Sequence, residues 1–409
     1  MILSIEFLHT IGRIMVANGA EIYRAEECIK YAALALDNIC DIHTTVTPNS
    51  ITISATDVNR QVHTSVRRVT RQGVNLTKIA YANDLSRRLV NLKVSLEEAI
   101  EEAIAIERMP GISQFYKIGL LSFNAAMLSL LSDGTMTHFF IAIFVGLFLF
   151  GILEKLSFIG QLSFVREIFL GFVGSALSII ICRFFRIDDG PLVTGLLLTI
   201  FPGTAMINSI RNIIAGDLIS GAVGVLETAG LMLSLFASAG AVLSISGSFS
   251  DVIAAASVNS ITLALYPVLA GISSATFFTY FQGPWALIFS SVAVGVLGRI
   301  VYSFIVAFNL PSGIGLFLAG STVALIAEHL ARYHKTPSTL FVISGFIPLV
   351  PASIMYQAVL AFATNSLSQG GALFLASAIH MFALGTGIAT VTAMIRSWKQ
   401  RTNNTQIAA

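Results

Sequence analysis

Ten apolar runs dominate the chain beyond residue 116: Lys117–Leu131, Thr137–Leu153, Ile168–Phe185, Pro191–Ile207, Leu218–Leu243, Ser260–Phe281, Trp285–Phe308, Gly313–Leu330, Thr339–Phe362 and Gly371–Met394. A helix needs about 20 apolar residues to cross a bilayer, and most of the runs meet that length; Lys117–Leu131 is the shortest. Only 11% of the residues are charged, against roughly 25% in soluble domains. Residues 1–116 hold 12 of the 24 Lys/Arg and 13 of the 22 Asp/Glu. A break near Pro110 thus separates two solvents. The expected fold is a membrane all-α bundle of about ten transmembrane helices behind a small α+β domain. The expected division is residues 1–112 for the soluble domain, 113–247 and 256–398 for two five-helix halves, and 399–409 for a tail.

In the first domain, Leu3, Phe7, Leu8, Ile11, Ile14 and Met15 recur at helical spacing over Ile2–Ala17. Gly19 interrupts, and Ile22, Ala25, Ile29 and Leu36 resume on a second helix. Alternation at Ile42/Thr44/Val46, Ile51/Ile53/Ala55 and Val62/Thr64/Val66, with polar turns between, predicts a three-stranded meander. Helices follow over Ile79–Val90 and Ser95–Arg108, the latter opened by a Ser95/Glu98 capping box. The charged, amphipathic start is unlike a cleaved signal peptide, so this domain is expected in the cytoplasm.

Lys/Arg placement supports that side. Lys155, Arg166, Arg211, Arg332, Lys335, Arg396, Lys399 and Arg401 fall in the even-numbered loops and the tail, while Arg183 and Arg186 break the rule beside Asp188 and Asp189. Ten spans with both ends inside a cytoplasmic membrane satisfy the pattern. No basic run is interleaved with aromatics, which argues against nucleic acid. Cys28, Cys40 and Cys182 have no metal-ligand spacing and read as reduced packing residues. No catalytic motif, metal site, cofactor or nucleotide-binding loop is expected.

Two segments share a proline-centred pattern: Gly195 through Phe201-Pro202-Gly203-Thr204-Ala205-Met206, and Ser344 through Pro348-Leu349-Val350-Pro351-Ala352-Ser353-Ile354-Met355. They fall in the fourth and ninth runs. An odd offset makes the two halves cross in opposite senses, a five-plus-five inverted repeat. Proline breaks a span and leaves a restarting helix whose positive end suits a carboxylate. The alternative is that Pro202 and Pro351 only kink helices for packing.

These residues also carry a resemblance. Gly12 through Glu26 (GRIMVANGAEIYRAE), Phe201 through Asn212 (FPGTAMINSIRN), and Thr336-Pro337 through Pro351 resemble the threonine/serine exporter family along essentially the whole chain. The resemblance implies a cytoplasmic N-terminal domain, ten spans and export of a small polar solute across a bacterial inner membrane. The chain is also similar to a two-subunit version, split near Gly247 and Ala256, that is implicated in dicarboxylate export. One departure is Ala352, where the family continues Pro-Gly.

The expected pathway residues are Pro202, Gly203, Thr204, Asn208 and Arg211 around the first break, and Pro348, Pro351 and Ser353 around the second. Arg299, deep in the seventh run, can pair with Glu227 or a substrate carboxylate, or snorkel to the interface. Glu227, inside the fifth run, is expected to be buried and is the candidate proton carrier, the alternative being a protonated structural hydrogen bond. Glu328 reads as a solvated interfacial residue, and Asn124, Gln357 and His380 as interhelical hydrogen-bonding groups. The expected partners are a small amino acid or dicarboxylate, protons and lipid, with a homo-oligomer left open. A membrane-anchored hydrolase is the rival reading, because Glu21, Tyr23, Arg24 and Glu26 cluster and His9, His43 and His63 supply bases. Glu21 and Arg24 read equally as a helix-surface ion pair.

Overall fold

The computed structural model describes residues 1–70, 73–156, 162–246, 260–364 and 366–408. The first domain follows the expected order: α1 (Ile2–Ala17), α2 (Ile22–Ala33), β1 (Ile39–Thr47), β2 (Ser50–Asp57), β3 (Val62–Arg68), α3 (Leu76–Val90) and α4 (Leu96–Arg108). The sheet is an antiparallel meander in the order β1-β2-β3. Ile51, Ile53 and Ala55 of β2 are fully buried and pack with the stripes of α1 and α2. On the edge strand the alternation has the opposite sense, since Val62 and Val66 face outward and are exposed. The Ser95/Glu98 capping box is present. Helix α3 begins three residues before the expected Ile79, because the Asn75 side chain caps it by accepting from the Lys78 amide. Cys28 and Cys182 are buried, but Cys40 lies exposed on β1 and is no packing residue.

The remaining chain is helical: α5 (Gln114–Leu131), α6 (Met136–Lys155), α7 (Ser163–Phe185), α8 (Gly190–Ile200), α9 (Gly203–Ile214), α10 (Leu218–Ser246) and α11 (Ser260–Tyr280). There follow α12 (Ile288–Ala307), α13 (Ser312–His334), α14 (Thr339–Phe346), α15 (Ala352–Ala363) and α16 (Leu367–Ala408). Among the described residues, six helices are long and apolar enough to cross a membrane, or eight if each of two bent pairs counts as one span. The expected first and sixth runs correspond to α5 and α11, which lie outside that set. The bent pairs are the fourth and ninth runs, turned by 52° between α8 and α9 and by 50° at Pro351. The last helix continues through residues 399–408. The junction expected at 247–256 lies outside the described residues.

Element starts recur at a constant interval. Ser163 and Ser312, Gly190 and Thr339, Gly203 and Ala352, and Leu218 and Leu367 each open corresponding helices 149 residues apart. Left-handed backbone recurs at the same interval, at Asp133 (φ 65) and Gln282 (φ 57), then at Arg186 (φ 54) and Lys335 (φ 56). Non-glycine residues rarely adopt it. Packing follows suit: α7 lies against α10 and α13 against α16, while α9 meets α16 and α10 meets α15. Helices α5 and α11 pack on each other, where the Ser273 hydroxyl donates to Asn124 Oδ1 at 2.8 Å.

Glycine sets the closest helix approaches. A Cβ on Gly171 would overlap the Leu235 carbonyl oxygen, and one on Gly320 would lie 2.5 Å from the Leu384 carbonyl oxygen. Backbone cannot give way as a side-chain tip can. Gly171→Ala and Gly320→Ala are each expected to cost about 1–3 kcal/mol through overpacking, read as a lower thermal midpoint in detergent. Unchanged midpoints in both would contradict the close approach.

Candidate functional site

Helix α8 stops at Ile200 because Pro202 has no N–H to continue the ladder. Phe201 adopts extended backbone, Pro202 caps α9, and the Gly203 amide donates to the Phe201 carbonyl at 2.7 Å. The break exposes the last carbonyls of one helix and the first N–H groups of the next. A cavity of about 590 Å³ lies there, lined by Leu198–Ile200 on one side and Gly203–Ala205 on the other. Its size falls within the range of small-molecule sites, roughly 300–1,000 Å³.

Helix α10 contributes Ser220, Gly224, Glu227 and Leu231, a stripe at helical spacing. Leu226, one residue off that stripe, is 74% exposed on the outer surface. Lys117 of α5 and Arg166 of α7 add positive charge to the wall, and Asn208, Asn212, Tyr280 and Gln282 add hydrogen-bonding groups. The lining therefore holds both signs of charge beside both ends of a broken helix. A zwitterion presents the same combination.

Pro202, Gly203, Thr204, Asn208 and Glu227 all line this cavity. Glu227 is exposed to it and not buried against neighbouring helices as expected, because the cavity opens along that face of α10. Arg211 is absent from the lining: it is only 2% exposed and turned toward the first domain. At the second break Ile347 and Val350 reach the same cavity, but Pro348 and Pro351 do not line it. The Ser353 side chain lies outside the described residues. Arg299 is on α12 at the second break, beside Tyr266 and Tyr302 and not beside Glu227.

The first domain closes one end of the cavity with the turn between α1 and α2, through Gly19, Ala20 and Glu21. Asn208 Nδ2 donates to the Gly19 carbonyl at 3.4 Å. Glu21, 1% exposed, pairs with Arg211 and with Arg24 Nε at 3.3 Å, and accepts from the Thr339 hydroxyl at 2.7 and 2.9 Å. Arg211 also donates to the Tyr23 hydroxyl at 3.2 Å. Arg24 donates to Ser338, which donates to Glu328 at 2.6 Å. Burial works to raise the Glu21 pKa, but the Arg211 and Arg24 guanidinium charges outweigh it and hold the carboxyl below its ordinary range. Glu21–Arg24 is thus a buried pair and not a helix-surface one. Glu328, 7% exposed, is likewise buried and not solvated.

Other expected polar residues divide. His380 Nε2 meets the Ser312 hydroxyl at 2.6 Å and Asn124 meets Ser273, both between helices, whereas Gln357 is exposed. Several site residues escaped the sequence reading: Lys117, Arg166 and its partner Glu167, whose carboxylate is fully buried and lies 2.6 Å from Arg166 Nη2. The available signal was a lysine at the start of the first run and an adjacent Arg-Glu opening the third.

The hydrolase candidates are occupied structurally. Glu21 is held in ion pairs, and Glu26 accepts from the Val46 amide at 2.9 Å. His9 is 5% exposed, its pKa lowered chiefly by burial and also by Arg67. His43 and His63 pair with Asp41 and Asp57, each at 3.2 Å.

Comparison with known proteins matches two family models. One described as a threonine/serine exporter covers residues 6–246, and one described as "Threonine/Serine exporter, ThrE" covers 266–394. No curated protein and no solved structure matches the chain. With helices apolar enough to span a bilayer several times over, a polar cavity at a broken helix and two family models that together match most of its length, the chain belongs to the threonine/serine exporter family.

Proposed function

We propose that this protein is a secondary exporter of threonine or serine, driven by the proton gradient across a bacterial cytoplasmic membrane. The carrying observation is the cavity at the first break, where helix ends of both polarities meet Lys117, Arg166, Glu21 and Glu227. In this reading the N–H groups following Pro202 receive the solute carboxylate, as half-helix N-termini do in transporters of anionic groups. The carbonyls of Leu198–Ile200 receive its ammonium group, and Thr204 and Asn208 its hydroxyl. Glu227 also carries the coupled proton, since no nucleotide-binding motif supplies another energy source.

The transport cycle is a rocking of two halves of an inverted repeat of ten spans, residues 113–247 against 256–398. The constant 149-residue interval, the matching left-handed positions and the reciprocal packing of α9 on α16 and α10 on α15 support that arrangement. The Lys/Arg-rich loops on the side of the first domain support a cytoplasmic location for it and for the C-terminus.

A dicarboxylate such as succinate is the second reading, favoured by the two cations Lys117 and Arg166 in the cavity lining. Uptake into inverted vesicles under an imposed pH gradient separates them. Labelled threonine or serine is expected to accumulate, and excess succinate to leave that uptake unchanged. Uptake of none of the three above empty vesicles would refute transport, and uptake of succinate alone would shift the substrate class.

A further inference from the structure

The second break carries a charged cluster outside the cavity described above. The Arg299 guanidinium lies over the rings of Tyr266 and Tyr302, 4.8 and 5.3 Å from their centroids. Its Nη1 is 3.5 Å from the Pro348 carbonyl, and its Nε is buried without a hydrogen-bond partner. Among the described residues, no carboxylate forms an ion pair with it. Asp133, in the loop after α5, is engaged by the Tyr266 hydroxyl. A guanidinium inside a span is costly; the Asp133 charge also acts on this one, but among the described residues no carboxylate touches it and its Nε is left over, which marks a place for an anionic ligand.

The positions of this cluster repeat those of the first cavity. Tyr266, Arg299, Tyr302 and Pro348 stand 149 residues after Lys117, Phe150, Leu153 and Thr199, while Asp133 stands 149 before Gln282. All five of those counterparts line the first cavity. The chemistry is redistributed, with positive charge on the first span at one break and on the seventh at the other. The cluster lies farther from the first domain than the end of α11 that lines the cavity. Phe281 and Gln282, at the end of α11, accept from Leu76 and Thr77 of the first domain. Tyr266 lies back along the same helix by about 22 Å at 1.5 Å per residue.

We propose that Arg299, flanked by Tyr266 and Tyr302, is a second carboxylate-binding subsite, related to the first cavity by the repeat and used when the transporter faces away from its first domain. Contact with two ring faces uses none of the in-plane donors, of which Nη1 makes only the 3.5 Å contact with Pro348 and Nε makes none, and a planar fork of donors matches a carboxylate in bidentate fashion. The subsite rests on the transport reading given above.

The test measures threonine entry into proteoliposomes from each side separately. Arg299→Lys keeps the charge and removes the fork. It is expected to raise the half-saturating threonine concentration tenfold or more from the side opposite the first domain, and less than twofold from the other. A lower rate from both sides with unchanged half-saturating concentrations is what a packing role gives, and would overturn the proposal. If the variant does not fold, phenylglyoxal applied to the unaltered protein from that opposite side reads the same point. Threonine should slow Arg299 modification at least fivefold, and equal rates with and without threonine would overturn the proposal. An unaltered protein that moves no solute refutes the transport reading first, before any variant is made, and the subsite falls with it.

Discussion

Glu21→Ala is expected to undock the first domain from the bundle, at a cost of about 3–5 kcal/mol, the usual loss when one partner of a buried ion pair is removed. The carboxylate holds Arg211 of α9 and Thr339 of α14, which lie in different halves of the bundle, and Arg24 of its own helix. Removing it leaves two guanidinium groups facing each other, with Arg211 only 1% exposed at its side chain and its Nε already unpartnered. The readouts are a lower thermal midpoint and faster proteolysis near Pro110. Equal midpoints and cleavage rates would contradict the latch.

The sign of the pH effect follows from the depressed pKa. Glu21 titrates below its ordinary 4.5 in the folded protein, so its stabilisation is complete above that value and is lost as pH falls through the folded pKa. At neutral pH the latch is fully charged. Protonation does not release it there. Arg211→Ala should mirror Glu21→Ala in direction with a smaller loss, since Glu21 then keeps Arg24 and Thr339.

The second large effect concerns Glu227. Glu227→Gln keeps the shape of the side chain on the cavity stripe of α10 and removes its ability to take up a proton. On the proposed coupling role, threonine uptake driven by a pH gradient is expected to fall at least tenfold, about 1.4 kcal/mol in the driven step. Threonine–threonine exchange without a gradient should change less than threefold, because binding and rocking remain. Retention of gradient-driven uptake would remove Glu227 from the coupling step, whereas equal loss of uptake and exchange would make it a binding residue alone.

Local features were legible because they act within a few residues. Proline at 202 and at 351 ends hydrogen bonding within its own turn, so both breaks stand where the sequence puts them. The α1–α2 pair and the meander follow from periods of 3.6 and 2. The capping box at Ser95 needs only four residues.

The charged groups were another matter. Glu21 meets Arg211 190 positions away and Thr339 318 positions away, and nothing in local spacing encodes either contact. An i,i+3 pair on an isolated helix belongs to its surface; docking against the bundle turned Glu21 and Arg24 into interior groups. Lys117 reads locally as the edge of a short span, and only the packing of α5 on α8 carries it into the cavity wall.

By itself the sequence determined the solvent and the elements: a chain of apolar runs must be helical in a bilayer, where unpaired backbone is unaffordable, and prolines mark where helices stop. The tertiary structure decided which charges share a cavity. Glu227 and Arg299, equally plausible partners along the chain, stand at different breaks. The face a helix presents and the neighbour it presents it to depend on packing between distant segments, and electrostatic pairing follows from that packing.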